Sequence, residues 1–237
     1  WSQKRPKLPT PHQVATEMWN TTVHQKITSK RSLVYHTWIT FSETMFGFLL
    51  GTSLGILLAI TIVHNRATAI SVMPWIITSQ TIPILALAPM IVVALGSAGF
   101  SGLLPIAIIS MYLSFFPVVV GMVKGLRSPE SLELDQMKTW SASGPQVLMK
   151  LRLPKSMPFF FTSLKLGMAA ALVGAIVGEL PSGGGGGLGF RMLSGSTFGN
   201  TLHIWSGLFS AAVLAASLIT FIGILQKVIL KKMALEL

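Results

Sequence analysis

Residues 37–63 read TWITFSETMFGFLLGTSLGILLAITIV, a stretch of 27 residues with one charge, Glu43, and three glycines, Gly47, Gly51 and Gly55, at a spacing of four. A hydrocarbon layer about 30 Å thick is crossed by roughly 20 residues of helix, so this stretch is long enough to span it. Strands of a membrane barrel would be shorter and would alternate in polarity, which this stretch does not do. Four further stretches match it in length and polarity, at 69–95, 103–123, 158–180 and 205–226, and the only charges within all five are Glu43, Lys165 and Glu179. The fold class expected is therefore all-α, a polytopic membrane helical bundle with five visible spans. The chain opens on Trp1 rather than Met, and a sixth span is expected upstream.

Composition supports the same reading. Of the 237 residues 51% are hydrophobic and 11% charged, against about 25% charged in an ordinary soluble domain. The absence of cysteine excludes a disulfide-stapled secreted domain. The net charge of +11 does not point to nucleic acid, because the basic residues lie in short segments between apolar blocks. Lys124, Arg127, Lys138, Lys150, Arg152 and Lys155 crowd the loop between the third and fourth spans, whereas 96–102 carries no charge and 181–204 only Arg191. By the positive-inside rule that loop is cytoplasmic, as are Arg66 and the tail lysines Lys227, Lys231 and Lys232. Lys4, Arg5, Lys7, Lys26, Lys30 and Arg31 run against this rule, since they precede the first span and fall outside. The expected division is an external segment 1–36 with an interfacial helix, followed by a transmembrane domain 37–237 that includes the cytoplasmic loop 124–157.

Several residues invite a role. The glycines at 47, 51 and 55 allow close approach of a neighbouring helix. Pro74, Pro83 and Pro89 favour bends in the second span, and the polar Ser79, Gln80 and Thr81 between them either line a path or tie helices together. Lys165 can snorkel to the headgroups, and Glu43 is expected at the outer interface. Glu179, at the outer end of its span, is either solvated or a contact for a polar substrate or a docking protein. No two of the five histidines are spaced for a metal site, and no nucleophile with a base is visible, so neither a metal nor a catalytic residue is expected. In the 124–157 loop, Ser128, Pro129 and Glu130 read as an N-cap, first-turn proline and first-turn acid. The helix they start is expected to end near Ser141–Gly144, and a second to run from Pro145 to Pro154.

The stretch Asp135-Gln136-Met137-Lys138-Thr139-Trp140-Ser141-Ala142-Ser143, continuing to Leu153-Pro154, resembles the EAA motif of ABC importer permeases. Asp135 falls on the Glu position and Ser141 on the Gly position, while Gln136 and Met137 replace the two alanines. Leu8-Pro9-Thr10-Pro11, the pair Pro83 and Pro89, Gly125-Leu126-Arg127, Gly178-Glu179-Leu180 and Gly187-Leu188-Gly189 extend the resemblance over nearly the whole chain. It is nearest to the permeases of the nitrate, sulfonate and taurine group. Val173 to Pro181 is similar to the branch that imports riboflavin or thiamine-precursor pyrimidines.

The resemblance implies a bundle of the type I ABC importer permease kind, a multi-pass component of the bacterial cytoplasmic (inner) membrane. This chain would be the permease subunit of an ATP-driven, binding-protein-dependent importer of a small organic solute. Its partners would be a cytoplasmic ABC ATPase dimer, a second permease subunit (identical or a close paralogue) and an external substrate-binding protein. The chain has no Walker motif, so ATP and Mg belong to the ATPase and this subunit is not expected to be an enzyme or to bind a cofactor. Asp135, Gln136, Met137, Lys138, Thr139, Trp140, Ser141, Ala142, Ser143, Gly144 and Gln146 would sit in the ATPase groove; Ser79, Gln80, Thr81 and Glu179 are the candidates for the translocation path. The alternatives are an ion-gradient-driven secondary transporter, which would usually show internal repeats and a mid-span carboxylate, and a membrane scaffold subunit.

Overall fold

The computed structural model describes residues 9–183 and 185–233. Lys4, Arg5, Lys7 and Leu8, and Gly184 within the glycine run, lie outside the described residues. In chain order the helices are α1 (Pro11–Val23), α2 (Leu33–His64), α3 (Arg66–Ser79), α4 (Ile84–Ser97), α5 (Leu103–Leu126), α6 (Ser131–Thr139), α7 (Gly144–Val147), α8 (Leu153–Glu179), α9 (Leu188–Thr197) and α10 (Thr201–Lys232). A five-residue π-helical segment, Leu148–Arg152, joins α7 to α8 without a break.

Helices α2, α5, α8 and α10 are each long and apolar enough to cross a membrane. The second expected span is different. Instead of one kinked helix, α3 and α4 meet at 95° across a short break. Pro74 lies inside α3 and Pro89 inside α4, so neither interrupts its helix, while Pro83 stands at the N-cap of α4 with ψ 116°. The residue before a proline is driven from the α region, and here the preceding polar side chains have already turned on their own backbone. The Ser79 hydroxyl donates to the Ile76 carbonyl and that of Thr81 to the Thr78 carbonyl.

Helix α5 is the axis of the bundle, packed between α2 and α8. In lipid the hydrophobic effect does not drive one helix onto another, so close backbone contact must do so. The glycines of α2 supply it. A Cβ at Gly47 would collide with Ser110, at Gly51 with Ser114 and the Met111 carbonyl, and at Gly55 with Val118. The glycine stripe of α2 thus lies against a stripe of α5 with the same spacing of four. On the other side of α5, Gly121 meets Ser163, Gly125 meets Ser156 and Gly174 lies against the backbone of Ile109 and Ser110, with the Ser110 hydroxyl donating to the Ala171 carbonyl at 3.0 Å. Two apolar cores flank this axis: Ile62, Ile76, Val119 and Leu126 on the α3 side, and Phe161, Leu172, Leu188 and Leu218 on the α9–α10 side.

Candidate functional site

The segment from Glu130 to Arg152 projects from the end of the bundle where α5 stops and α8 starts. The helix α6 begins later than the Ser128 N-cap expected from sequence. Ser128 instead donates to the Gly125 carbonyl and closes α5. Glu130 is the N-cap, in a reciprocal box with Glu133, whose carboxylate accepts from the Glu130 N–H at 2.8 Å. The expected stop at Pro154 is also overturned, for α7, the π segment and α8 form one continuous rod with Pro154 in the first turn of α8. Because the rod is already helical before it, Pro154 removes one N–H from the ladder, and the wider π turn falls directly before that point.

The turn between α6 and α7 is a Schellman closure centred on Ser141. The Ser141 N–H donates to the Lys138 carbonyl at 2.8 Å and the Ala142 N–H to the Met137 carbonyl at 3.0 Å, the two bonds that define that motif. Ser141 takes φ 51°, a left-handed conformation that costs an ordinary L-residue roughly 1–2 kcal/mol and glycine nothing. Next, Ser143 caps α7 in a second reciprocal box with Gln146.

The projection is anchored at both ends. Lys155 of α8 bonds the Glu133 carboxylate of α6, and this ammonium, with the Glu130 N–H, holds the Glu133 carboxyl below its ordinary pKa. The Arg152 guanidinium donates to the Leu126 carbonyl at the end of α5 at 3.0 Å, where a cation also meets the negative end of the helix dipole. Asp135 and Lys138 form an exposed ion pair at 2.8 Å, worth about 0–1 kcal/mol. Of the residues named from sequence, Asp135, Gln136, Lys138, Thr139, Trp140, Ser141, Ser143, Gly144 and Gln146 are exposed, Ala142 is half-buried and Met137 is buried beneath them. The structure gathers all eleven on one knob. Glu133, Arg152 and Lys155, which fix its position, were missed; the Glu130-x-x-Glu133 spacing was the available signal for the first of them.

Ser79, Gln80 and Thr81 sit together at the break between α3 and α4. The Gln80 side-chain amide donates to the Ser79 hydroxyl at 3.2 Å, and the Tyr112 hydroxyl of α5 donates to the Ser79 carbonyl. Ser79 and Gln80 are half-buried and Thr81 is exposed.

Glu179 lies apart from them, at the far end of the bundle from the knob, and is fully buried. Its Oε1 accepts from the Thr40 hydroxyl at 2.5 Å, its Oε2 from the Gly189 N–H, and the Phe190 N–H also bonds the carboxylate. It therefore caps the first turn of α9, an anion at the positive end of a helix. Gly187 is required there, with φ 101° and no room for a Cβ beside the Glu179 carboxyl. Around it the Leu188 N–H donates to Thr40 Oγ1 at 2.8 Å and the Gly187 N–H to His36 Nδ1 at 3.1 Å. His36 Nε2 is thereby left to carry the proton toward the Lys30 carbonyl, 3.0 Å away.

Glu43 is not interfacial as expected. It is 4% exposed, its Oε2 has no donor, and its carboxyl bonds that of Glu179. Lys165 is half-buried and leans across Gly223 of α10, its Nζ 3.8 Å from where a Cβ would stand.

The architecture is that of a polytopic membrane helical bundle with a two-helix knob at one end and a broken span. The chain belongs to the family described as binding-protein-dependent transport system inner membrane component, whose pattern matches residues 51–235. It is thus a multi-pass inner-membrane protein. Among its relatives, a probable ABC transporter permease protein of Haemophilus influenzae is 33% identical over 72% of this chain and 68% of its own length. The formylaminopyrimidine transport permease protein ThiX of Halalkalibacterium halodurans is 32% identical over 73% of this chain and 64% of its own length. The match therefore spans about two thirds of each of these relatives. The fold is that of the MetNI methionine ABC transporter in an inward-facing form, with a TM-score of 0.61 at 19% identity over 95% of this chain and 99% of the other. Family membership sets aside the secondary-transporter and scaffold alternatives.

Proposed function

We propose that this chain is the path-forming subunit of an ATP-driven importer of a small organic solute, and that the knob from Asp135 to Gln146 is the element through which a cytoplasmic ABC ATPase dimer moves it. The observation that supports this most is the mechanical build of the knob. Side chains at its tip are exposed, its turn is closed by two backbone bonds, and its base is tied to α5 by Arg152 and to α8 by Lys155. A force applied at the tip therefore reaches two spans as rigid-body motion, which is what alternating access requires. ATP and Mg are held by the ATPase, a second permease subunit completes the path and an external binding protein delivers the solute. Ser79, Gln80 and Thr81, at the break in the second span, line the path. Glu179 acts on it indirectly by fixing α9 to α2. The solute belongs to the class of small polar heterocycles and organic anions, in keeping with the formylaminopyrimidine permease among the relatives.

One uptake assay with the ATPase co-expressed tests both assignments. Ser141→Arg should abolish uptake and loosen the copurifying ATPase while the helices stay folded, whereas Ser141→Gly should preserve both. Gln80→Leu should keep the ATPase bound and thermal stability unchanged but alter solute preference or raise basal ATP hydrolysis. Normal uptake by Ser141→Arg with the ATPase still bound removes the coupling role. A stability loss in Gln80→Leu with unaltered selectivity removes the path role.

A further inference from the structure

At the end of the bundle opposite the knob, an open cavity of about 430 Å³ is lined by α1, the connection into α2, the first turns of α2 and α10, Gly185 and Gly186, and α9. We propose that this cavity is a binding site for a phosphate group. The charges in its wall do not balance. Lys30, Arg31 and Arg191 face one carboxylate, that of Glu17, and the histidines His36 and His203 supply no further negative charge.

Arg191 carries the argument. It is 5% exposed, and its guanidinium is poorly satisfied by the chain itself. One Nη donates to the Arg31 carbonyl at 3.3 Å and the other meets Glu17 Oε1 at 3.4 Å, long for charge-assisted bonds, which run about 2.7–2.9 Å. Its Nε–H has no acceptor. Glu17 is also shared with His203 Nε2, 3.5 Å away. Burial works against the charge of Arg191 and lowers its pKa. A buried arginine is ordinarily paired and fully bonded, so this one lacks an acceptor with several oxygens. A tetrahedral oxyanion offers that, with Lys30 and Arg31, both exposed at the mouth, to meet its remaining charge.

A second anomaly meets the first at this place. Lys30 and Arg31 belong to the basic residues that run against the positive-inside pattern, and here they line the same cavity as the buried Arg191. The level of the site names the phosphate's two sources. It lies where α2 and α10 begin, and the segments that wall it, α1 and the connection into α2, carry Trp19 and Ile27, 63% and 67% exposed, the aromatic and apolar groups expected at a membrane interface. The phosphate is therefore that of a phospholipid headgroup or a free phosphate in the adjoining water.

The full chain in a neutral detergent separates these. Its thermal midpoint would be followed against inorganic phosphate, against dihexanoyl-phosphatidylglycerol, and against sodium chloride at matched ionic strength. A saturable rise with phosphate or phosphatidylglycerol, absent with chloride, is expected. The double variant Lys30→Gln, Arg31→Gln, altered only at exposed positions, should bind about tenfold more weakly, as loss of two exposed ion pairs would give. Arg191→Lys should weaken binding further by removing the fork. A rise with the lipid alone assigns a headgroup site, and one with inorganic phosphate assigns a soluble ligand. A rise that chloride reproduces, or one unchanged in the double variant, overturns the proposal.

Discussion

Glu43 and Glu179 were read from the sequence as two separate acids near the outer surface, and the structure brings them together inside it. Spacing could not reveal this, because the residues lie on α2 and α8 and meet only through tertiary packing. Glu179 takes hydrogens from Thr40, Gly189 and Phe190, so it is the acceptor of the pair. A carboxyl beside it can join only by bringing a hydrogen of its own. Glutamine can do the same with its amide. Glu43→Gln should therefore leave the unfolding midpoint in mild detergent within about 0.5 kcal/mol of the parent, whereas Glu179→Gln, which places a donor against two backbone N–H groups, should cost about 1–3 kcal/mol. Equal losses in the two variants would show that the shared hydrogen is not on Glu43. Ser141 is the opposite case, legible by position alone. It stands where the resembling motif has glycine, and its φ of 51° supplies the physical reason.

Among the elements, α2, α5, α8 and α10 were legible because an uncharged run of more than 20 residues has few other places to go. The second span misled, because three prolines look alike in sequence. The break came only where a proline followed side chains that had already captured backbone carbonyls. The glycine stripe of α2 was legible as a packing face, but its partner was not, since any helix with small residues would have served. Now that the partner is α5, the cost of filling the stripe can be stated. A Cβ at Gly51 would stand 3.0 Å from the Met111 carbonyl and 3.2 Å from the Phe115 nitrogen, backbone atoms that move only if the whole helix moves. Gly51→Val should destabilise the bundle by about 1–3 kcal/mol, the usual range for overpacking. Gly96→Ala, in α4 with open space around it, should be neutral or gain up to about 1 kcal/mol from helix propensity. Paired thermal melts in detergent would check this, and a tolerated Gly51→Val would mean that α2 and α5 are not in close contact.

For the whole molecule, orientation follows from which end carries which charges. The knob, the tail of α10 and Arg66 share one end and hold most of the lysines and arginines between and after the spans. The other end holds α1, α9 and the conflicting Lys30 and Arg31. A count of charges alone weighs both ends alike. The fold adds that Arg31 is tied through its carbonyl to Arg191 and that it and Lys30 line one cavity, while Arg152 and Lys155 anchor the knob. On the orientation expected from the positive-inside rule, the knob end is the cytoplasmic one. Because the chain contains no cysteine, single cysteines report on this directly. Ser143 at the knob and Ser97 at the end of α4 are both exposed and lie at opposite ends of the bundle. In intact cells an impermeant thiol reagent should label Ser97→Cys and spare Ser143→Cys, and opening the cells should expose the second. The reverse pattern would place the knob outside, where no ATPase could reach it, and would return Lys30 and Arg31 to the ordinary role of cytoplasmic flanking charges.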